Sequence, residues 1–199
     1  MYSPVRPSVA IAFHSGYGHT AVLAEAVARG AASEGADVVS VAVDAIGEEQ
    51  WAQLDAADAI VFGSPTYMGT ASAAFHAFAE ASSKRWYTQT WADKLAAGFT
   101  NSGAKAGDKS STLGYFQTMA AQHAMHWVSL GLQPGQASTT GSEADLNRLG
   151  FFAGAAAHSP VDAGPEAVHK SDIATAEHLG ARVAREARIF ATGRAALAA

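Results

Sequence analysis

Five short apolar runs recur along this chain, and segments of helical spacing separate most of them. The runs are Val9–Phe13, Val38–Val43, Ala59–Phe62, Leu95–Phe99 and Met125–Leu130. Most are nearly continuous rather than alternating, which is the pattern of strands covered on both faces. Between them, Thr20–Ser33 carries Val22, Leu23, Ala26 and Val27 at helical spacing, and Glu48–Leu54, Ala71–Ser83 and Ser111–Ala124 read as further helices. A last helix is expected to start between Pro165 and Ser171, with Ile173, Ala176, Gly180, Val183, Ala187 and Phe190 inward and Glu177, Arg182, Arg185 and Arg188 outward. Strands joined through helices of this size form crossovers, so the expected fold is α/β, with a parallel sheet and helices on both faces.

Five strands ending near Leu130 leave no room for a second domain, so residues 1–199 are read as one domain. Met1–Pro7 and Thr192–Ala199 are the expected loose ends. The stretch Gly131–Gly164 is rich in Gly, Ser and Thr. It exceeds the ~12–15 residues usual for a structureless loop, which marks it as functional or interfacial.

Composition narrows the function. The chain has no cysteine, which excludes disulfides, zinc ribbons, iron–sulfur clusters and a thiol nucleophile. A net charge of −5 offers no basic footprint, so no nucleic-acid partner is expected. Hydrophobic residues make up 49% and charged ones 16%, which argues against disorder. Much of that apolar content is Ala and Gly, pointing to closely packed helices. No run approaches the ~20 apolar residues of a membrane span, and Ser8–Phe13 is too short for a signal-peptide core. The expectation is a cytoplasmic protein with no membrane partner. His123 and His126, and Glu166, His169, Glu177 and His178, show spacings that arise often by chance, and no metal site is expected.

In an open parallel sheet, ligands sit beyond the carboxyl ends of the strands. Three loops stand there. His14-Ser15-Gly16-Tyr17-Gly18-His19-Thr20 joins strand to helix, so free N–H groups and the helix dipole converge. Ser15, His19 and Thr20 add polar side chains, and Gly16 and Gly18 admit close approach. A phosphate is the natural occupant; without a Lys this is no Walker A loop. The second loop is Gly63-Ser64-Pro65-Thr66-Tyr67-Met68-Gly69-Thr70. A planar ligand can lie against Tyr67 or the polarisable Met68, or Tyr67 can simply pack on the next helix. The third is Thr100-Asn101-Ser102-Gly103-Ala104-Lys105. Gly16-Tyr-Gly18-His-Thr-Ala21 also fits the dinucleotide pattern G-x-G-x-x-A, with Asp44 at the end of the second strand. The crowd of hydroxyls in the loop argues against that reading.

These residues resemble the flavodoxin-like NAD(P)H:quinone oxidoreductases, the tryptophan-repressor-binding-protein (WrbA) family and its FMN-reductase relatives. The resemblance runs from Val9 to about Phe190. Ser15-Gly-Tyr17-Gly18-His19-Thr20 is similar to the family's phosphate loop. Pro65-Thr66-Tyr67-Met68-Gly69 is similar to its isoalloxazine loop, where members often carry Arg and Phe at the Tyr67 and Met68 positions. Asn101 to Ala106 is similar to the family's third flavin loop, less Gly-rich than usual, and Thr100, Asn101, Ser102 and Gly103 are the candidate cofactor contacts there. The resemblance implies a doubly wound five-stranded sheet of order 2-1-3-4-5, FMN as cofactor, NADH or NADPH as electron donor, a quinone as acceptor, and a homodimer or homotetramer. It places Trp86 and Tyr17 at the substrate pocket and His123 near the flavin of a neighbouring subunit, where it would act as a proton donor. The bland alternatives are a helix-end bond to a carbonyl for His123 and packing under a long loop for Trp86. His158-Ser159-Pro160 also enters as a candidate pocket lining.

The competing functions are a non-enzymatic FMN-binding electron carrier, a nicotinamide-binding Rossmann domain and a flavin-sensing module. The modest net charge weighs against the carrier, which would need a strongly acidic docking face.

Overall fold

A computed structural model describes residues 5–198. Strands β1 (Ser8–Phe13), β2 (Asp37–Ala42), β3 (Ala59–Tyr67) and β5 (Leu95–Ser102) lie parallel in the order β2-β1-β3-β5. A two-residue strand β4 (Thr70–Ala71) folds back antiparallel on the end of β3. The helices are α1 (His19–Ser33), α2 (Glu48–Ala56), α3 (Ala73–Ala81), α4 (Ser83–Thr88), α5 (Lys109–Gln122) and α6 (Lys170–Leu197).

The fifth sheet position is shared. β6 (His126–Trp127) pairs with the start of β5, Leu95 facing His126, and β7 (Ala155–His158) pairs with its end, Phe99 facing Ala155. The run Met125–Leu130 was expected to form this strand unaided; only two of its residues do. The chain leaves the sheet after Trp127 and returns at Ala155 to complete it. The Gly131–Gly164 stretch is therefore an insertion into the fifth strand plus a closing loop, and the order 2-1-3-4-5 holds with a composite fifth member.

Alternate residues of the strands feed two cores, as the two-residue period of a strand requires. Val9, Ile11 and Val61 pack with Leu23, Val27, Leu179 and Val183 of α1 and α6. Ala10, Ala12, Ile60 and Phe62 pack with Trp51, Phe75, Phe78 and Phe116 on the other face. The Ala and Gly content is spent on the first face. A β-carbon on Gly30 would stand 1.8 Å from the Glu177 carbonyl oxygen, and one on Gly180 would stand 2.0 Å from that of Val27. The two helices touch backbone to backbone.

Three expected boundaries change. The helix expected over Ala71–Ser83 starts at Ala73, capped by Ser72 Oγ accepting from Phe75 N at 3.3 Å, and gives way at Ser82 to α4, which carries Trp86. Thr192–Leu197 is not a loose tail: α6 runs through it, in keeping with the high helix propensity of its Ala, Arg and Leu. At the other end residues 1–4 lie outside the described residues, as does residue 199. Arg6 pairs with Asp37 at 2.9 Å and the Pro7 carbonyl accepts from Asp37 N, so the chain is tied to β2 from there. Phe190, expected inward, is 36% exposed and lies against His126.

Candidate functional site

The three expected loops meet at the carboxyl edge of the sheet around one cleft of about 760 Å³. That volume lies within the about 300–1,000 Å³ of small-molecule pockets. Its lining takes Tyr17 and His19 from the first loop, Thr66, Tyr67 and Met68 from the second, and Asn101, Ser102 and Gly103 from the third. A fourth segment completes it. Ser159, Val161, Ala163 and Gly164, from the loop after β7, form the remaining wall.

The first loop turns sharply at Gly18, whose φ of +88° is left-handed. A β-carbon there would also stand 2.5 Å from Pro165 Cγ, so both conformation and space require glycine. Among the described residues, none of the backbone N–H groups from Ser15 to Thr20 has an acceptor within the chain. Val22 N–H is the first to bond a backbone carbonyl, that of Gly18, at 3.2 Å. Six consecutive donors at the positive end of α1 form an anion cradle. Ser15 Oγ accepts from Ala21 N at 3.1 Å, which ties the loop to the first turn of α1 and leaves the hydroxyl proton free to donate. Thr20, buried, donates from Oγ1 to Asn101 Oδ1 at 2.6 Å. His19 Nε2 lies 3.0 Å from the Ala163 carbonyl. A carbonyl only accepts, so Nε2 carries the proton.

The second loop is a tight hairpin. Met68 and Gly69 both have positive φ, +48° and +84°, the geometry of a two-residue primed turn. It throws the Met68 side chain wholly into solvent at the rim. Tyr67 leans over Gly16, its hydroxyl 2.8 Å from where a β-carbon would be, and Tyr17 meets it edge to face with centroids 6.5 Å apart. Burial, and then the neighbouring Tyr17, push the Tyr67 phenol above its ordinary pKa, so it stays a neutral donor at physiological pH.

Two expected contacts turn inward instead. Thr100 is fully buried, its Oγ1 donating to the Ser64 carbonyl at 2.7 Å and lying 2.8 Å from Thr66 Oγ1. Pro65 is a buried residue of β3, paired in register with Asn101. Both hold the loops rather than line the cleft. Asn101 links the parts: it accepts from Thr20 and donates from Nδ2 to Ser159 Oγ at 3.2 Å. Asp44 lies in a single helical turn after β2 and does not line the cleft.

Trp86 and His123 are not in this cleft. Helix α5 runs back along the sheet from the third loop, and its fourteen residues carry the chain about 20 Å away. Along that helix Trp86, His123, His76, Tyr115 and Met119 line a separate groove of about 560 Å³. His123 Nε2 lies 2.9 Å from Ser82 Oγ, and its ring packs on Trp91 at 4.5 Å.

The Gly131–Gly164 stretch, read as functional or interfacial, supplies this fourth wall, with Ser159 of the expected His158-Ser159-Pro160 lining among its residues. One contributor lies where no site residue was expected. Lys109 lies fully buried under the third loop. Its signal was a cation at the first position of a helix, where the dipole disfavours one.

The arrangement fits an FMN: the free Ser15–Thr20 donors would hold its phosphate, and Tyr17 and Tyr67 would border its ring, with Met68 at the rim. Comparison with known proteins agrees. A flavodoxin-domain family model matches residues 10–157. "Flavodoxin FldP" of Pseudomonas aeruginosa is 44% identical over 178 residues, covering 88% of this chain and 94% of that protein. "Quinone-oxidoreductase QR2" of Triphysaria versicolor is 31% identical over 141 residues, covering 62% and 69%. The crystal structure of a flavodoxin, WrbA-like protein from Agrobacterium tumefaciens is 41% identical, covers 92% of this chain and 99% of its own, and superposes with a TM-score of 0.73.

Proposed function

This chain belongs to the flavodoxin family, and from that premise we propose that it is an FMN-dependent oxidoreductase that passes two electrons from NADH or NADPH to a quinone. The observation that carries the reading is the run of six unpaired N–H groups from Ser15 to Thr20 beside an aromatic-lined cleft. The quinone as acceptor is supported by the name of the Triphysaria versicolor relative at 31% identity.

When bound, FMN supplies the redox chemistry, and the protein supplies placement and electrostatics. The Ser15–Thr20 amides and the α1 dipole hold the phosphate with no counter-charged side chain. Tyr17, Tyr67, Ser102 and Gly103 would hold the ring, and Ala163 with Gly164 would wall its covered side. The exposed Met68 at the rim would leave room for a nicotinamide or quinone. The proposal includes a homodimer or homotetramer, with the groove around Trp86 as a subunit contact, and a cytoplasmic location. Among the described residues no helix is long and apolar enough to cross a membrane.

A second reading is a non-enzymatic electron carrier, favoured by the name of the relative at 44% identity. Reconstitution with FMN followed by a quinone-dependent NADH and NADPH oxidation assay separates the two. Turnover with benzoquinone supports the enzyme. A protein that binds FMN yet oxidises neither nucleotide is the carrier. Failure to bind FMN removes both.

A further inference from the structure

The third loop of the cleft is folded around a buried cation. Lys109, the first residue of α5, is fully buried. Its Nζ donates to the Ala104 carbonyl at 2.5 Å and to the Lys105 carbonyl at 3.0 Å. The ring of Phe151 lies 6.0 Å away. Ser102 Oγ donates to the same Ala104 carbonyl at 3.1 Å. Gly107 and Asp108 follow with φ of +50° and +53°, which wraps the loop tightly over the ammonium. Ser102 and Gly103, at its start, line the cleft.

We propose that Lys109 is a positioning residue of the cleft, whose buried ammonium fixes the Gly103–Asp108 loop and favours the reduced form of bound FMN over the oxidised form. The inference rests on the FMN reading above. Reduction adds two electrons and one proton to a neutral ring and leaves it with one negative charge. A fixed cation close by in a poorly solvated site stabilises that charge and leaves the neutral ring almost unaffected.

The surrounding charges do not cancel Lys109. Arg148, in the insertion, makes a bidentate pair with Asp172 of α6, both bonds 2.7 Å. Lys105 pairs with Glu143 at 2.9 Å, and Glu143 also bonds Arg148. Asp108 is exposed on the loop, and His158 of β7 bonds the Gly103 carbonyl at 3.2 Å. Lys109 itself bonds carbonyls, and the Asp172 carboxylate that attracts it is opposed by Arg148 and committed to it, so most of the Lys109 charge is left uncompensated. Burial lowers its pKa to about 8, so it is cationic at neutral pH and titrates just above.

The test is the two-electron midpoint potential of the FMN-loaded protein, measured spectroelectrochemically, together with the Kd for oxidised FMN. Lys109→Gln keeps an N–H donor and removes the charge. It is expected to bind oxidised FMN nearly as the unaltered protein does, while the preference for reduced FMN falls about tenfold, or about 30 mV. Lys109→Met removes donor and charge, and loses oxidised-state affinity as well. In the unaltered protein, the potential-against-pH line is expected to bend downward near pH 8, and the bend is absent in Lys109→Gln. Should Lys109→Met fail to fold, Lys109→Gln still decides. FMN binding with an unchanged potential in Lys109→Gln overturns the proposal and leaves the FMN reading standing. A protein that binds no FMN overturns that reading itself.

Discussion

Ser82 Oγ gives its only proton to the Ala79 carbonyl at 2.7 Å, so at its 2.9 Å contact with His123 Nε2 it can only accept. His123 is thereby fixed with the proton on Nε2 and an Nδ1 that is buried without a partner. Burial lowers the pKa of this imidazole. A ring held neutral, its proton committed to a serine, is a brace between the ends of α3 and α5. It is poorly suited to protonating a quinone.

The first prediction follows. His123→Ala is expected to destabilise the fold by about 2–3 kcal/mol, through the lost bond and the cavity beside Trp91. The Kd for FMN is expected to stay unchanged. Between the lowered folded pKa and the unfolded value of about 6.5, the unfolded chain binds more protons. Stability is thus fully present above about pH 6.5 and falls as pH drops below it. His178, also lowered mainly by burial, adds to the same slope. Urea denaturation at pH 5 and pH 7.5 should show a smaller pH effect in His123→Gln than in the unaltered protein.

The second prediction concerns α1 and α6. Alanine in a helix interior is normally worth about 1 kcal/mol over glycine. At Gly180 the new methyl would meet the Val27 backbone 2.0 Å away, and backbone cannot rotate aside. Gly180→Ala should destabilise by about 1–3 kcal/mol or more. Gly114, in α5, has nothing within 4 Å of its β-carbon position. Gly114→Ala should therefore raise stability by about 0.5–1 kcal/mol. Opposite shifts in the thermal midpoints of the two variants are the expected result.

What the sequence made legible was whatever local chemistry dictates. The apolar runs disclosed the strands because a covered parallel strand has no polar face to show. The Gly16–Thr20 loop disclosed an anion cradle because its backbone needs and donor types are local. The division of the fifth strand was hidden, because β6 and β7 are joined only by pairing to β5 across an insertion. His123 and Trp86 were placed by resemblance; the chain puts His123 at the far end of α5, about 20 Å from its start, and Trp86 on α4, both lining a separate groove. Thr100 was read as a loop residue because nothing in its neighbours says that β5 extends to Ser102.

The third prediction concerns Thr20. Its hydroxyl ties the phosphate loop to Asn101. Thr20→Val should loosen that tie and weaken FMN by about 1 kcal/mol, the net worth of one hydrogen bond. Thr20→Asp places a carboxylate among donors meant for phosphate. It should weaken FMN by several kcal/mol through like-charge repulsion, an effect that shrinks as salt is raised. Fluorescence titration of FMN at two ionic strengths measures both. A salt-independent loss in Thr20→Asp would place the phosphate elsewhere.

The last prediction concerns the insertion. Arg148 and Asp172 are almost wholly buried, with side chains 4% and 2% exposed, and Asp172 also accepts from His158 N at 3.0 Å. One ion pair thus fastens the insertion to both α6 and β7. Replacing Arg148 with Met leaves Asp172 buried without its cation, a loss of about 3–5 kcal/mol. The double variant Arg148→Met with Asp172→Asn should recover part of it, because the stranded charge is gone. The exposed end of the network behaves differently. Hydrogen bonds from Lys105 and Arg148 hold Glu143 down to about 2. A depressed carboxyl supports the fold above its unfolded pKa of about 4.3 and loses that support as pH falls toward 2. Glu143→Gln should therefore flatten the acid limb by lowering the plateau above about pH 4.3, slightly because the ion pair is exposed, and leave stability near pH 2 unchanged. Acid titration followed by near-UV circular dichroism distinguishes the two ends. Arg148→Met lowers the whole curve, whereas Glu143→Gln lowers it slightly above about pH 4 and rejoins the unaltered protein near pH 2.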